Sequence, residues 1–366
     1  MAVVRAIARE IARDPARGVA AGALAENHTN YIGCTALSAN DVVHVAIEQA
    51  DLILNVGHDV VEKPPFFMTP NGTPVVVHIS FSSAETDAVY YPHAEVIGDI
   101  GSALWQIKEK LAPQPHWDSS FFAHCREMVQ KNVYEGKHTA SANFPMNVQS
   151  VVRTMRAALE PSAILCLDNG MYKIHVGAPP RSNSRPPPAA CSPSRDHHHP
   201  PGPSPAKTAR QVARDFPALQ PNTVLLDNAL ATMGAGLPAA IAAKLIEPTK
   251  QVVALCGDGG FMMNSQELET ALRLKLHLTC IVLNDNGYGM IKWKQGTAGF
   301  PCWGLDYHNP SFVQYAEVAG GGSNARTCLE ATRAGEWARS HRQICLREQA
   351  RGLEGVGWVG GARAGE

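Results

Sequence analysis

Two polar clusters separated by one apolar helix-length segment constrain this chain more than anything else in it. Gly257-Asp258-Gly259-Gly260 closes the run Gln251–Cys256, and Asn284-Asp285-Asn286-Gly287-Tyr288-Gly289 closes the run His277–Leu283. Both runs are short, apolar and rich in β-branched residues, the pattern of buried parallel strands. Between them Leu268, Ala271, Leu272 and Leu276 recur at helical spacing, and Asn264 with Glu267 reads as a helix start, an N-cap with its reciprocal acid. A strand–helix–strand unit of this length predicts parallel strands joined by a right-handed crossover. Both polar clusters then fall at the carboxyl edge of one sheet, where open α/β folds bind ligands.

That placement gives the residues a chemistry. Asp258 and Asp285 each offer a carboxylate oxygen, and the backbone carbonyl of Gly287 adds a third. Such an oxygen set suits Mg²⁺, which is completed by water and by phosphate oxygens. Gly257, Gly259 and Gly260 carry no Cβ, so phosphate oxygens can approach the backbone just before a helix. Either cluster alone would be read as an ordinary turn. Together, at both strand ends flanking one helix, they read as a metal–diphosphate site.

With those residues in view, the stretch resembles the thiamine-diphosphate signature, and Gly257–Leu276 with Gly289–Gln295 resembles the acetolactate synthase large-subunit branch. Asp285 stands where many members of that family have the second Asn of a pair. The resemblance implies a Mg²⁺ bound by Asp258, Asp285 and Gly287, with Gly257, Gly259, Gly260, Tyr288 and Gly289 also around the cofactor. Upstream, Leu230–Ala240 resembles the segment that cradles the aminopyrimidine. There Met233 matches the apolar wedge between the cofactor's rings, and the Ala231 backbone would meet the exocyclic amine. Gly234 and Gly236 permit close approach. Leu167-Asp168-Asn169-Gly170-Met171-Tyr172, after a strand at Ala163–Leu167, matches a diphosphate-contacting loop, which nominates Asn169, Gly170 and Met171. Tyr288, Met290 and Trp293 are candidates for walling a substrate pocket.

Composition narrows the class. A formal net charge of −1 offers no electrostatic case for nucleic acid, and 45% apolar residues suffice for a core. The nine cysteines include no CxxC pair, which favours a reducing, intracellular setting, cytoplasmic or organellar (a plastid included). The longest apolar stretch, Ala229–Ala243, is interrupted by Gly and Pro, so a soluble protein without a membrane span is expected. Met1–Gly18 alternates Ala and Val with Arg but contains Glu10 and Asp14, which argues against a transit peptide.

The 366 residues accommodate two α/β domains, each a doubly wound parallel sheet. Residues 1–112 form a central, scaffolding domain that is incomplete at its N-terminus. In it Ser38–Asp41 caps a helix running to Ala50, with strands at Asp51–Gly57 and Pro74–Ile79. Asp51–Lys63 resembles the family's central domain, which holds FAD in flavin-binding relatives. The strand text His78–Ser83 lacks the acid those relatives carry, so FAD is not expected, and His58 is taken as a solvated loop residue. Residues 113–150 are a linker and helix, and 151–320 the thiamine-diphosphate-binding domain. Gly177–Pro205 holds ten of the 26 prolines and the run His197–His199, so 177–208 reads as a disordered insert. Residues 321–366 read as an irregular tail.

The family resemblance implies decarboxylation of pyruvate and carboligation to a second 2-keto acid, in a homo-oligomer whose active site lies between subunits. It also implies a third, pyrimidine-binding domain carrying the glutamate that activates the cofactor. No residue of this chain matches that glutamate, so no catalytic residue is nominated. Cofactor binding without turnover is the expectation for the chain by itself.

Overall fold

The computed structural model describes residues 24–34, 42–57, 68–72, 74–87, 90–112, 118–131, 148–170, 216–227, 230–301, 303–321, 325–327 and 344–346. The cap at Ser38–Asp41, His58, Met171, Tyr172 and the insert 177–208 lie outside the described residues.

The first sheet is parallel and three-stranded. Helix α1 (Val42–Glu48) leads into β1 (Leu52–Val56), followed by β2 (Val75–Ser80) and β3 (Ala94–Ile97), in the order β1-β2-β3. The strands expected at 51–57 and 74–79 are present. β3 is an exposed edge strand, and its residues Ala-Glu-Val-Ile give no buried-strand signal. Helix α2 (Ile100–Lys110) follows, with the Asp99 carboxylate accepting the Ser102 N–H at 2.6 Å. Its Ile100 and Leu104 bury against Ile79. Helix α3 (Ser120–Val129) packs on α1 through Val129 and Val43.

Buried polar groups in this sheet satisfy one another. His78 Nε2 lies 3.0 Å from the Ser82 carbonyl, which can only accept, so Nε2 carries the proton. Nδ1 is then the acceptor for the Tyr90 hydroxyl at 2.8 Å, and that hydroxyl accepts from Asn55 Nδ2 at 2.7 Å.

The second sheet follows α4 (Val148–Ala158) and has the order β5-β4-β6-β7, all parallel. Its strands are β4 (Ile164–Leu167), β5 (Val224–Leu226), β6 (Val252–Gly257) and β7 (Thr279–Leu283), with α5 (Gly236–Ile246) between β5 and β6. Both faces are covered, which is why the strands read as continuous apolar runs. Ile164, Cys166, Val252, Ala254, Cys256, Cys280 and Val282 face Leu237, Ile241, Phe261, Leu268 and Phe312. Their neighbours Leu165, Leu167, Val253 and Leu255 face Val151, Val152 and Met155 of α4, with Phe216.

The segment between β6 and β7 departs from expectation. Helix α6 (Asp258–Met263) starts directly at Asp258, and a separate α7 (Glu267–Arg273) follows. Asn264 is not the N-cap of α7, whose preceding residue Gln266 makes no side-chain cap bond. The Asn264 amide instead donates to the Gly234 carbonyl at 2.9 Å, a tertiary bond that takes the side chain away from local capping.

After β7 come α8 (Gly289–Thr297), α9 (Phe312–Ala316) and a π-helical turn at Glu317–Gly321. Within the stretch read as an irregular tail, β8 (Ala325–Thr327) and β9 (Ile344–Leu346) pair antiparallel. β9 lies beside β7. Among the described residues no helix is long and apolar enough to cross a membrane.

Residues before α1 contact the second unit through the Glu26 N–H, which donates to the Ala218 carbonyl at 3.1 Å. Burial pushes the Glu26 carboxyl up to about 7, against the opposing effects of its bonds to Tyr31 and the Ala218 backbone. Oε1 lies 4.0 Å from the Cys34 thiol, while Oε2 has no hydrogen-bond partner among the described residues. Because the folded value is raised, Glu26 contributes its stability below the ordinary carboxylate pKa and loses it as pH rises through about 7. Glu26→Gln should therefore flatten the decline of thermal midpoint across that window, measured as wild type minus variant by circular dichroism. Parallel pH curves for the two proteins would show that the carboxyl is not held neutral.

Candidate functional site

The register of β6 on β7 sets Gly257 opposite Leu283, so Asp258 and Asn284–Gly287 leave the sheet side by side. β4 pairs with the other edge of β6, with Leu167 opposite Leu255, which brings Asp168 and Asn169 to the same carboxyl edge. Three adjacent strands thus deliver the polar clusters to one place.

Asp258 is 2% exposed. Its Oδ1 accepts the Gly259 N–H at 2.9 Å, and its Oδ2 accepts the Asn286 N–H at 2.8 Å. Asn286 reaches that bond with φ 55°, a left-handed conformation that Asn tolerates better than most residues. The Asp285 carboxyl lies close enough to Asp258 to feel its charge. Loss of solvent around that carboxyl, and then the Asp258 charge, hold it above the ordinary carboxylate range, although the residue as a whole is exposed. The Gly287 carbonyl accepts only the Gly289 N–H, at 3.1 Å, among the bonds of the described residues, so one of its lone pairs is left over.

The glycines form a cradle. A Cβ on Gly259 would come within 2.8 Å of both the Tyr288 ring and the Tyr307 hydroxyl, and one on Gly260 would run into the Asp168 carboxylate. Tyr288 and Tyr307 face each other with ring centroids 5.0 Å apart. The Tyr307 hydroxyl is buried; removal from water, then the Asp258 charge, push it well up.

Asp168 organises the opposite wall. It is fully buried, and its Oδ1 accepts N–H groups from Asn169 at 2.8 Å, Gly234 at 2.8 Å and Ala235 at 3.1 Å. Burial raises this carboxyl above its ordinary value, and those backbone bonds oppose the rise. Asn169 Nδ2 donates to the Thr232 carbonyl at 2.8 Å. The Ala231–Gly236 loop is therefore pinned from Asp168, Asn169 and Asn264 together. Ala231 sits at φ 50°, an uncommon conformation for a residue that carries a Cβ without a polar side chain. Met233 is half-buried in the same loop.

The structure thus gathers Asn169, Gly170, Ala231, Met233, Gly257–Gly260, Asp285 and Gly287–Gly289 around the ends of β4, β6 and β7. Met171 lies outside the described residues, as does the Trp293 side chain. Sequence reasoning did not single out Asp168, Tyr307 or Asn309. The first was hidden as a loop residue, and the other two lie beyond β7 in a stretch without a motif.

A diphosphate and a hard cation fit these residues. The space beside Gly259 and Gly260 is one that a Cβ would fill, and the facing groups are oxygens. Among the described residues no three His, Cys, Asp or Glu side chains converge. A cation here would rest on two carboxylates, a backbone carbonyl and phosphate oxygens, which is the Mg²⁺ pattern.

Comparison with known proteins agrees with this architecture. Residues 204–346 match the family described as thiamine pyrophosphate enzyme, C-terminal TPP binding domain, and residues 17–107 match thiamine pyrophosphate enzyme, central domain. The chain belongs to the thiamine pyrophosphate enzyme family. It is 28% identical to acetolactate synthase of Bacillus subtilis over 308 residues, covering 82% of this chain and 46% of that protein. It is 27% identical to the catabolic acetolactate synthase of Raoultella terrigena, over 82% of this chain and 47% of the relative. Pyruvate oxidase of Lactiplantibacillus plantarum is 25% identical over 81% of this chain and 43% of its own length. The chain spans less than half the length of these relatives.

Asp168→Ala should cost about 2–3 kcal/mol in urea unfolding, because it strands buried N–H groups that now donate to a charged acceptor. Asp168→Asn, which keeps an acceptor oxygen, should cost less than the Ala change. Equal losses would mean that the space Asp168 fills matters and its bonds do not.

Proposed function

We propose that this chain binds thiamine diphosphate with Mg²⁺ at the carboxyl edge of β4, β6 and β7. The observation that carries the reading is the tie between Asp258 and the Asn284–Gly287 loop, through the Asn286 N–H and the Asn309 amide, beside the Gly259–Gly260 cradle. Two facing carboxylates are costly unless one is protonated or a cation lies between them. Asp258, Asp285 and the Gly287 carbonyl hold the cation. Gly257, Gly259, Gly260, Tyr288 and Gly289 surround the diphosphate, with Asn169 and Gly170 on its other side, and Met171 is assigned to it by the resemblance alone. The Gly259 N–H is already turned to Asp258, so Gly259 admits a phosphate through its missing side chain. Met233 props the cofactor's bent shape, and the Ala231 backbone meets its pyrimidine.

The activity of the whole protein is proposed to be of acetolactate synthase type, decarboxylating pyruvate and joining the remainder to a second 2-keto acid. Bound thiamine diphosphate would supply the electron sink for that decarboxylation. The residues of this chain position it and exclude water, with Tyr288 and Met290 on the substrate side. The activating glutamate comes from a pyrimidine-binding domain, contributed by another segment or subunit of a homo-oligomer, so these 366 residues alone hold the cofactor without turning it over. A second 2-keto acid activity is supported by the likeness to pyruvate oxidase.

Calorimetry with thiamine diphosphate and Mg²⁺ tests the binding. Wild type should bind only when both are present, and Asp258→Ala should abolish the Mg²⁺-dependent part. A folded wild-type sample that takes up neither would end this reading. In a separate assay, CO₂ release from pyruvate by the purified chain should stay at background. Sustained turnover would refute the claim that a further domain is required.

A further inference from the structure

One side chain that bonds three oxygens at the site is marked by no motif. Asn309 Nδ2 lies 2.7 Å from Asp258 Oδ2, 2.9 Å from Asn284 Oδ1 and 3.0 Å from Asn286 Oδ1. A carboxylate can only accept, so the amide must present its N–H₂ side to Asp258. Its two hydrogens serve three oxygens, one from the end of β6 and two from the loop after β7. With the Asn286 N–H also on Oδ2 at 2.8 Å, that oxygen of Asp258 receives two donors. Among the described residues Oδ1 receives only the Gly259 N–H and keeps acceptor capacity for a cation.

The backbone that carries Asn309 is itself tied across the loop. Leu305 accepts the Tyr288 N–H at 3.1 Å, the Tyr307 N–H reaches the Asn286 carbonyl at 3.3 Å, and Gly287 and Asp306 form an antiparallel bridge. Asp306 also pairs with Lys292 of α8. Residues 305–309 thus lie as a strap over residues 286–288, and Asn309 is its inner end.

We propose that Asn309 is a positioning residue for the cation site, orienting the Asp258 carboxylate and locking the 284–286 loop against it so that Asp258 and Asp285 meet one divalent cation. This rests on the cofactor reading above and adds a residue to it. Asn309 does not ligate the cation; its amide neutralises the face of Asp258 that the cation does not use. Groups that orient a ligand from behind in this way typically contribute ~10–100-fold to metal affinity.

The test is a Mg²⁺ titration of the full chain in saturating thiamine diphosphate, followed by calorimetry, alongside the metal-free thermal midpoint. Asn309→Ala should weaken Mg²⁺ binding about 10–100-fold while leaving the metal-free midpoint near that of wild type. Asn309→Gln, which retains an amide donor in a half-buried position with room to adjust, should recover most of the affinity. Wild-type affinity in the Ala variant overturns the proposal. So does an equal loss in both variants with a lowered metal-free midpoint, since that is what a merely structural side chain would give. If wild type binds no Mg²⁺ although folded, it is the cofactor reading that has failed. Wild-type binding with an unaffected Asn309→Ala variant leaves that reading standing and removes only this residue.

Discussion

The parallel register between β6 and β7 forces two carboxylates together, and much of the site is arranged around that fact. Asp258 leaves β6 one residue after Gly257, and Asp285 leaves β7 two residues after Leu283, its partner in the ladder. Neither strand can slip by one residue without turning its apolar side chains from one covered face to the other. The like-charge contact is therefore fixed by the core, and the polar surroundings must accommodate it. The backbone N–H groups of Gly259 and Asn286 and the Asn309 amide all donate to Asp258. Donors of this kind soften the repulsion without supplying a full positive charge, and a divalent cation would supply it.

Asp168 solves a related problem one strand away. Its carboxylate is buried where ionisation is costly, yet it collects the N–H of Asn169 and those of Gly234 and Ala235 at the entry to α5. The gain is geometric. The Ala231–Gly236 loop is held in a conformation that includes a left-handed Ala231, and Gly260 packs so close to Asp168 that no side chain fits between them. A loop in that state needs external bonds to persist. Asp168 and Asn169 supply them from the end of β4, and Asn264 from the end of α6. The two halves of the site are joined at α6, whose first residue is Asp258 and whose C-cap is Asn264.

Much of this was legible from residue order alone. The strands around β6 and β7, their parallel pairing and the convergence of Asp258 with Asp285 follow from hydrophobic runs and turn chemistry, which are local signals. Asn264 shows where local reasoning fails. Its spacing to Glu267 matches a capping box, but a bond to Gly234, thirty positions earlier, competes for the same side chain and prevails. Tyr307 and Asn309 were illegible for the same reason in stronger form. Nothing near them in sequence marks a site, and their meaning comes from a backbone bridge to 286–288 that only the folded chain displays. β3 was missed because an exposed edge strand lacks the apolar pattern on which strand recognition depends.

The bonds that shape the site run from Asp168 to Asn309, within the four-stranded unit and the loops that leave it. That confinement separates two demands that are usually met together. Holding a diphosphate and a hard cation requires oxygens, close backbone and a fixed carboxylate geometry, and one sheet edge can provide all of these. Moving a proton on a bound cofactor requires a titratable group aimed from the far side of the ligand, which strand ends along a single edge are poorly placed to offer. The oxygens, close backbone and fixed Asp258 geometry found here fit the first demand. The glycine cradle and the strap over 286–288 are formed within this one unit, so the binding proposed for it can be measured separately from turnover.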